Sequence, residues 1–465
     1  MKKTNKFLFS LLMAGSVLSF TSCDDDDPID EQVEQGEEIV ITSSAQGVGT
    51  TKWTANNTYI LDGLVFVNDG QTLTIEPGTV IKGMPGDAEE ASALVVARGG
   101  KIMAEGTAEK PIIFTAEEDD LSRTDDMPLD ANGRWGGVII LGKATINRTG
   151  GEASIEGISP LETRGIYGGT NDADNSGVFK YVSIRHAGTL IGANNEINGL
   201  TMGGVGSGTK IEYVEVFSNQ DDGFEWFGGT VNTKYLVSAF CGDDMFDYDQ
   251  GWRGNNQFWF GIYNSNSGGT GGEFDGGSNP DDVTPFSIPT IYNATIIGSG
   301  NKAGQNAVML VDNAGGKIRN SIFAEFTGGI VVEDLTDPNI GDSRARLEAG
   351  DLDFKNNIFA KVNNNTFAGI TSVAANQGYL LTHLEASANG NRVSSDNVFG
   401  GVSRTNNKGL NPLLPTGSIA LTGAGALPSN TNNFIWTPAN YVGAFDGTNN
   451  WMKGWTYLDK LGYLK

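Results

Sequence analysis

The sequence predicts an all-β protein that folds as a right-handed parallel β-helix, a single-stranded solenoid with short helical inserts and a C-terminal aromatic cap. The first reason is composition: the chain has 65 glycines in 465 residues and only 19% charged residues, which suits short strands joined by tight turns. The second is a series of short β-branched runs without the periodicity of amphipathic helices. The third is a motif that returns after 22 residues, about one rung of a solenoid.

The N-terminus has the features of a lipoprotein signal peptide, which we predict over residues 1–22. Three lysines precede an apolar run over residues 7–20 that is too short to span a bilayer as a mature helix. Thr21 and Ser22 are small residues and lead directly into Cys23. Cys23 is therefore predicted to carry lipid, palmitate included, and to anchor the protein in an outer membrane.

An acidic tract follows the cysteine, and we predict a disordered tether over residues 23–48. Asp24, Asp25, Asp26 and Asp27 open it, and no Lys or Arg occurs before Lys52. Such a tract cannot bury enough apolar surface to fold. An acidic run after a lipidated cysteine is similar to the lipoprotein export signal of Bacteroidota, and this similarity implies exposure at the cell surface.

The formal net charge of −25 restricts the possible partners. A surface with this charge repels nucleic acid and anionic lipid head groups. Cations, cationic ligands and neutral glycans remain as candidates, and no nucleic-acid partner is expected.

Residues 49–460 are predicted to form the β-helix domain. The segments KYVSIRHAG (180–188), EYVEVF (212–217) and KYLVSAF (234–240) begin alike, and Tyr213 and Tyr235 lie 22 residues apart. A β-sandwich would also have many short strands, but it would not readily repeat one motif at rung spacing.

Two segments interrupt the strand pattern, and the tail of the chain differs from both. Residues 343–350 and 377–390 are predicted as short helices that end in glycine. The tail from Asn411 is aromatic and irregular, and we predict that it caps the last rung.

Cys241 lies between Phe240 and Gly242 and is predicted to be a small buried side chain.

The repeat aligns acidic residues of neighbouring rungs. The pairs are Asp221 with Asp243, Asp222 with Asp244, and Glu225 with Asp247, each 22 residues apart. Stacked residues of adjacent strands lie roughly 5 Å apart, so each ionised and uncompensated pair would cost about 3 kcal/mol. Three arrangements would relieve the repulsion: a hard cation such as calcium, protons shared between the carboxylates, or backbone caps and salt bridges to Lys210, Lys234 or Arg253.

Aromatic residues interleave with these acids, and together they predict a ligand-binding groove. The predicted groove residues are Asp221, Asp222, Glu225, Trp226, Asp243, Asp244, Asp247, Tyr248, Asp249, Trp252 and Arg253. The predicted calcium ligands are Asp221, Asp222, Asp243 and Asp244. The loop 268–282 adds Glu273, Asp275, Asp281 and Asp282, which we expect on mobile surface backbone.

Two short segments that contain the paired aspartates resemble the motifs of a family of enzymes. SNQDDGF (218–224) and GDDMF (242–246) look like the spaced Asp motifs of pectin-hydrolysing glycosidases, which share the β-helix fold and use carboxylates as acid and base. The chain departs from those enzymes because it lacks their Gly-His-Gly and Arg-x-Lys motifs. The histidines of the chain, His186 and His383, both lie outside the patch.

A wider resemblance covers residues 50–455. DDGFEWFGGTVNTKYL, DDMFDYDQGWRG, GGEFDGG and YVGAFDGTNNWMKGWT are similar to segments of the β-helix lipoprotein family named after a leptospiral outer-membrane lipoprotein. This resemblance implies a surface protein without established catalysis. We therefore expect a non-enzymatic binding or accessory module for a glycan, a metal or a nutrient. Its expected partner is a TonB-dependent receptor or a surface glycan. The alternatives are a polysaccharide lyase or glycoside hydrolase that uses the same acids with Arg253, and a structural surface scaffold.

Overall fold

The computed structural model describes residues 36–86, 90–192, 195–277, 280–337, 340–431 and 433–465. The predicted signal peptide, Cys23 and the first part of the acidic tether lie outside the described residues. No helix in the described ranges is long and apolar enough to cross a membrane.

The described chain consists mainly of short strands. The first half contains β1 (Glu38–Thr42), β2 (Thr51–Trp53), β3 (Thr58–Asp62), β4 (Leu64–Val67), β5 (Thr72–Ile75), β6 (Val80–Gly83), β7 (Ala93–Val96), β8 (Lys101–Glu105), β9 (Ile112–Ala116), β10 (Val138–Leu141), β11 (Glu152–Ser154), β12 (Ile166–Gly168), β13 (Gly177–Arg185), β14 (Leu190–Gly192), β15 (Asn195–Glu196) and β16 (Leu200–Gly203). The second half contains β17 (Lys210–Phe217), β18 (Phe224–Phe227), β19 (Asn232–Ala239), β20 (Phe246–Asp249), β21 (Asn255–Ile262), β22 (Glu273–Asp275), β23 (Thr290–Tyr292), β24 (Thr295–Ile297), β25 (Val308–Val311), β26 (Gly316–Arg319), β27 (Ile322–Ala324), β28 (Ile330–Val332), β29 (Leu352–Lys355), β30 (Ile358–Ala360) and β31 (Arg392–Ser394). The α-helices are α1 (Ser343–Ala349), α2 (Phe367–Thr371), α3 (Gly378–Glu385) and α4 (Tyr457–Lys460).

Parallel pairing arranges most of these strands in three columns, which are the faces of a β-helix. The exceptions are the antiparallel pairs β11–β12 and β14–β15. Face 1 contains β2, β5, β8, the first halves of β13, β17, β19 and β21, and then β23, β26 and β29. Face 2 contains β1, β3, β6, β9, the second halves of the same four long strands, and then β24, β27, β30 and β31. Face 3 contains β4, β7, β10, β16, β18, β20, β22, β25 and β28. The predicted parallel β-helix is therefore confirmed.

A bend of one residue joins face 1 to face 2 in the long strands. Tyr181, Tyr213, Tyr235 and Phe258 occupy this corner with φ values of 47°, 55°, 58° and 63°, a left-handed conformation that is uncommon for bulky residues. Their rings stack from rung to rung, with centroids 4.3, 4.2 and 5.0 Å apart. In later rungs the corner is held by Asn293, Asn320 and Asn356, a residue type that tolerates this conformation.

The interior of the solenoid is apolar because side chains alternate between the inside and the outside along each strand. In β17, Val214 and Val216 belong to the interior core, whereas Phe217 belongs to a second core on the outside of face 2. A third core lies outside face 3, where Ile155, Ile158 and Tyr167 from the β11–β12 hairpin pack against the sheet. The helix is therefore covered on parts of two faces.

Two predicted boundaries can be compared with the structure. The strand β1 pairs in parallel with β3, so the predicted tether of residues 23–48 is too long at its C-terminal end. The apolar side chains of Ile39 and Ile41 explain the difference, because both pack against the core. The predicted helices in 343–350 and 377–390 are confirmed as α1 and α3, while α2 and α4 were not predicted.

The C-terminal strap, which we define as residues 433–465, corrects the predicted end cap. Instead of closing the last rung, it runs back along the corner between faces 1 and 2. Trp455 packs edge-on against Tyr181 and Tyr213, with centroids 5.6 and 6.2 Å away, and Lys460 Nζ donates to Leu121 O at 2.8 Å. The strap follows this route because its rings cover the aromatic edge of the corner.

Candidate functional site

Acidic residues 22 positions apart lie on neighbouring rungs of face 3. Pairing of β18 with β20 places Glu225 beside Asp247 and Phe227 beside Asp249. In the preceding turn, the backbone N–H of Asp244 donates to Asp222 Oδ1 at 2.8 Å. The predicted register is therefore confirmed, and acids distant along the chain form one continuous group, which we call the acid column.

The aromatic residues predicted beside these acids point the opposite way. Trp226, Tyr248 and Trp252 are each 0% exposed, and the Trp226 ring stacks on the Trp252 ring at 4.4 Å. Tyr248 Oη donates to Gly315 O at 2.6 Å, and Trp252 Nε1 donates to Val231 O at 3.2 Å. The prediction that these three rings line a binding groove is wrong, because strand alternation that turns Glu225 outward turns Trp226 inward.

The acid column contains two overlapping groups of three carboxylates. In each group one carboxylate oxygen per residue lies within 4.8 Å of the other two: Asp221, Asp222 and Asp243 form the first group, and Asp222, Glu225 and Asp247 form the second. Asp222 is shared and only 7% exposed, whereas Asp243 is exposed. Asp244 is 2% exposed and is held by the backbone N–H of Thr270, so this predicted calcium ligand lies beside both groups rather than within them.

Two asparagine side chains, which the sequence analysis did not single out, hold these acids in place. Asn198 donates through Nδ2 to Glu225 and, at 2.9 Å, to Glu156 Oε1. Asn219 Nδ2 donates to Asp222 O at 2.7 Å, and its buried Oδ1 has no hydrogen-bond partner in the described residues. Asn198 therefore links Glu225 to Glu156, whereas Asn219 holds the backbone of Asp222. Asn198 precedes β16, and Glu156 comes from the β11–β12 hairpin, so neither belongs to the repeated DD motif.

Burial and mutual repulsion raise the pKa of the acids in the column. Loss of solvation is the largest cause for Asp222, Glu225, Asp244 and Asp247. Neighbouring carboxylates raise each pKa further, among them Asp221 beside Asp222 and Glu156 beside Glu225. The column therefore favours either protons or a cation over a fully ionised, metal-free state.

The column continues beyond the two groups toward the C-terminal rungs. Glu273 pairs with Asp247 in the sheet, and burial followed by the charges of Asp249 and Asp312 raises the pKa of Asp275 to about 8. Burial and Asp312 likewise raise the pKa of Glu333 to about 7. The prediction that Glu273 and Asp275 lie on a mobile loop is wrong, since both belong to β22, a strand of face 3.

The three basic residues considered as salt-bridge partners in one of the three alternatives are engaged elsewhere. Lys210 lies 3.3 Å from Glu212, and Lys234 donates to Thr437 Oγ1 at 3.0 Å and to Ile435 O. Arg253 donates to Gly251 O at 2.6 Å and to Asp172 Oδ2 at 3.1 Å. These contacts remove the salt-bridge alternative for these three residues, and they leave Arg253 outside the two carboxylate groups.

Three further side chains that could act as bases or nucleophiles, His186, His383 and Cys241, are held by contacts within the fold. Burial lowers the pKa of His186 to about 4, and its Nδ1 lies 2.6 Å from Ala131 O. His383 Nε2 accepts from the backbone N–H of Phe354 at 3.2 Å. Cys241 is 1% exposed, as predicted, and burial raises the pKa of its thiol to about 11.

Comparison with known proteins agrees with this architecture. The sequence profile of the pectate-lyase-like β-helix domain matches residues 45–456, which is most of the chain. Neither the curated proteins nor the solved structures contain a match. On the fold and on this match, the chain belongs to the pectate-lyase-like β-helix domain family.

Proposed function

We propose that this protein is a non-enzymatic binding module at the cell surface, and that the acid column holds a divalent cation, calcium by preference, through which it captures a ligand such as a glycan. The observation that carries the proposal is the pair of three-carboxylate groups that share the buried Asp222. Two such groups concentrate negative charge that a hard cation would neutralise.

The donor set suits calcium on chemical grounds. Calcium takes six to eight oxygen ligands from carboxylates, amide and backbone carbonyls and water, in flexible geometry. The column offers one carboxylate oxygen each from Asp221, Asp222 and Asp243, and these oxygens lie within 4.8 Å of one another. The exposed Asp243 leaves one side of the group open to solvent, where a bound cation would retain positions for water or for a sugar hydroxyl.

The first expected result is that Asp222→Asn weakens calcium binding measured by isothermal titration calorimetry. The substitution removes the carboxylate that belongs to both groups while its shape is nearly preserved. We expect the dissociation constant to rise by about tenfold or more, equivalent to roughly 1.4 kcal/mol. Asp396→Asn, at an exposed residue on a distant rung, is the matched control and should bind as the unmodified protein does. Equal binding by both variants would contradict the proposed site.

The proposed location depends on the N-terminal segment. The predicted signal peptide over residues 1–22, the predicted lipid on Cys23 and the acidic residues that follow support an outer-membrane lipoprotein that faces outward, as does the resemblance to the leptospiral lipoprotein family. A TonB-dependent receptor or a surface glycan is the proposed partner. Mass spectrometry of the mature N-terminus tests the anchor, since Cys23→Ala should eliminate the acylated species and release the protein from membranes.

Cleavage of an acidic polysaccharide is the second candidate. It is favoured by Asp275 and Glu333, because pKa values of about 8 and about 7 would keep a general acid protonated near neutral pH. The engaged guanidinium of Arg253 argues against the version that uses this residue as a base. Incubation with polygalacturonate, followed by measurement of reducing and unsaturated ends, distinguishes the two. Product formation that Asp244→Asn eliminates would overturn the non-enzymatic proposal.

A further inference from the structure

A cavity separate from the acid column lies beside the first rungs of face 3. It has a volume of about 510 Å³ and lies between the β11–β12 hairpin and the turns that follow β4, β7 and β10. Asp69, Arg98 and Lys143 come from those three turns, and Arg164 comes from the hairpin connection. The lining thus carries three cationic side chains and one carboxylate.

The walls of this cavity are fixed by hydrogen bonds. Arg98 Nη1 donates to Gly168 O at 2.8 Å, and the backbone N–H of Gly168 donates to Gly142 O at 3.0 Å. The backbone N–H of Asn171 donates to Lys143 O at 2.8 Å. The site is therefore preformed, so that a ligand would not need to order its walls.

The three cations differ in how fully their own neighbours engage them. Arg164 is committed, because its Nε and Nη2 donate to Glu162 and its Nη1 donates to Ser44 O at 2.8 Å. Arg98 uses only Nη1 for its contacts with Glu152 and Gly168 in the described part of the chain. Lys143 Nζ lies 3.5 Å from Asp69 Oδ1, with side chains 43% and 76% exposed, a loose surface pair of the kind that contributes little.

Glycine keeps the space around the ammonium group open. Gly99 has φ +91°, and a Cβ there would lie 2.6 Å from Lys143 Nζ and 1.8 Å from Asp69 Oδ1. Any larger residue would therefore fill the gap into which Lys143 and Asp69 project. Thr163 and Thr170 line the same cavity, and a threonine hydroxyl can donate to a polar ligand.

We propose that this cavity binds a small molecule that carries an oxyanion, with Lys143 and the free edge of Arg98 as the charged donors. Guanidinium and ammonium groups with nearby hydroxyls are the donors that phosphate, sulfate and carboxylate groups take. The cavity volume falls in the range of small-molecule sites and leaves room for a sugar ring beside the anionic group. The carboxylate of Asp69 competes with the ligand for Lys143. In the absence of ligand it takes the place that the oxyanion would occupy beside the ammonium group.

The test is calorimetric titration of the full mature chain with inorganic phosphate, inorganic sulfate and glucuronate, in calcium-free buffer at physiological ionic strength. At least one probe should bind saturably, and the probe that binds identifies the source of the anionic group. Lys143→Met should weaken that binding about tenfold, the loss expected for one charge-assisted hydrogen bond, and Lys143→Arg should restore most of it.

Asp69→Asn gives the sharpest outcome because it should tighten binding, by about threefold, when the competing carboxylate is removed. Lys453→Met, at an exposed lysine of the strap, changes the net charge equally and should leave binding unchanged. Absence of saturable binding for all three probes, equal weakening by Lys143→Met and Lys453→Met, or weakening by Asp69→Asn would each overturn the proposal. None of these results depends on whether the acid column holds calcium.

Discussion

In the presence of a chelator, raising the pH from about 6.5 to about 8 is expected to lower the free energy of unfolding of this protein by ~2–5 kcal/mol. The cause is the set of buried acids whose pKa values lie above those of the unfolded chain, with Asp275 at about 8 and Glu333 at about 7. Between the unfolded and folded pKa values the folded state binds more protons than the unfolded state. Stability therefore falls as the pH rises through this window, whereas below about pH 6.5 the lowered pKa of His186 acts in the opposite direction.

Calcium should reverse this dependence, because it binds the ionised carboxylates of the folded state. At 5 mM calcium and pH 8 we expect urea unfolding midpoints to exceed those in chelator, by an amount that grows with calcium concentration. Asp275→Asn should flatten the chelator profile between about pH 5 and pH 8, since it removes one titrating group and keeps the size of the side chain. A chelator profile in which stability rises steadily to pH 8 would contradict the raised pKa values.

Glu215→Ala is expected to destabilise the protein by about 3–5 kcal/mol. Glu215 is 0% exposed and lies where the strap meets the β-helix. Its Oε2 accepts from Ser183 Oγ at 2.6 Å and from the backbone N–H of Tyr457 at 2.7 Å, and its Oε1 accepts from Leu458 N at 3.0 Å. Alanine would leave those donors unpaired and Arg185, only 2% exposed, without its negative neighbour.

Chemical unfolding and limited trypsin digestion measure this effect together. Release of the strap should expose the chain around Lys453 and Lys460, so cleavage there should accelerate about tenfold or more in Glu215→Ala, in line with ~1.4 kcal/mol per factor of ten. Glu215→Gln retains one acceptor oxygen and is the matched control, for which we expect an intermediate loss. Cleavage rates and unfolding midpoints that match the unmodified protein would show that Glu215 does not hold the strap.

Periodicity made the fold and part of the site predictable. Residues 22 apart had to stack once the chain was a parallel solenoid, and Glu225 does pair with Asp247. Alternation of side chains along a strand also explains why Trp226 is buried. In the strand FEWF, an outward Glu225 requires an inward Trp226, so strand alternation outweighs composition as a guide to which rings can meet a ligand.

Contacts between non-repeating segments could not be predicted in the same way. Asn198 and Glu156 lie outside the DD repeat, and no spacing relates them to Glu225, although Asn198 donates to both carboxylates. The path of the strap was also hidden, because its aromatic residues suit an end cap and a lateral cover equally well. Only the three-dimensional corner of stacked rings, from Tyr181 to Phe258, distinguishes the two.

The one-residue bend between faces 1 and 2 tolerates no insertions, whereas the connections to face 3 can vary in length. Within β13, β17, β19 and β21 the chain crosses this corner without an insertion, and a longer connection there would disrupt the ring stack. The connections that enter and leave face 3 vary from short turns to the β11–β12 hairpin and the segment that contains α1. Peptides grafted into those connections would be displayed on an unchanged frame, so new binding specificities can arise at the edges of face 3 without redesign of the core.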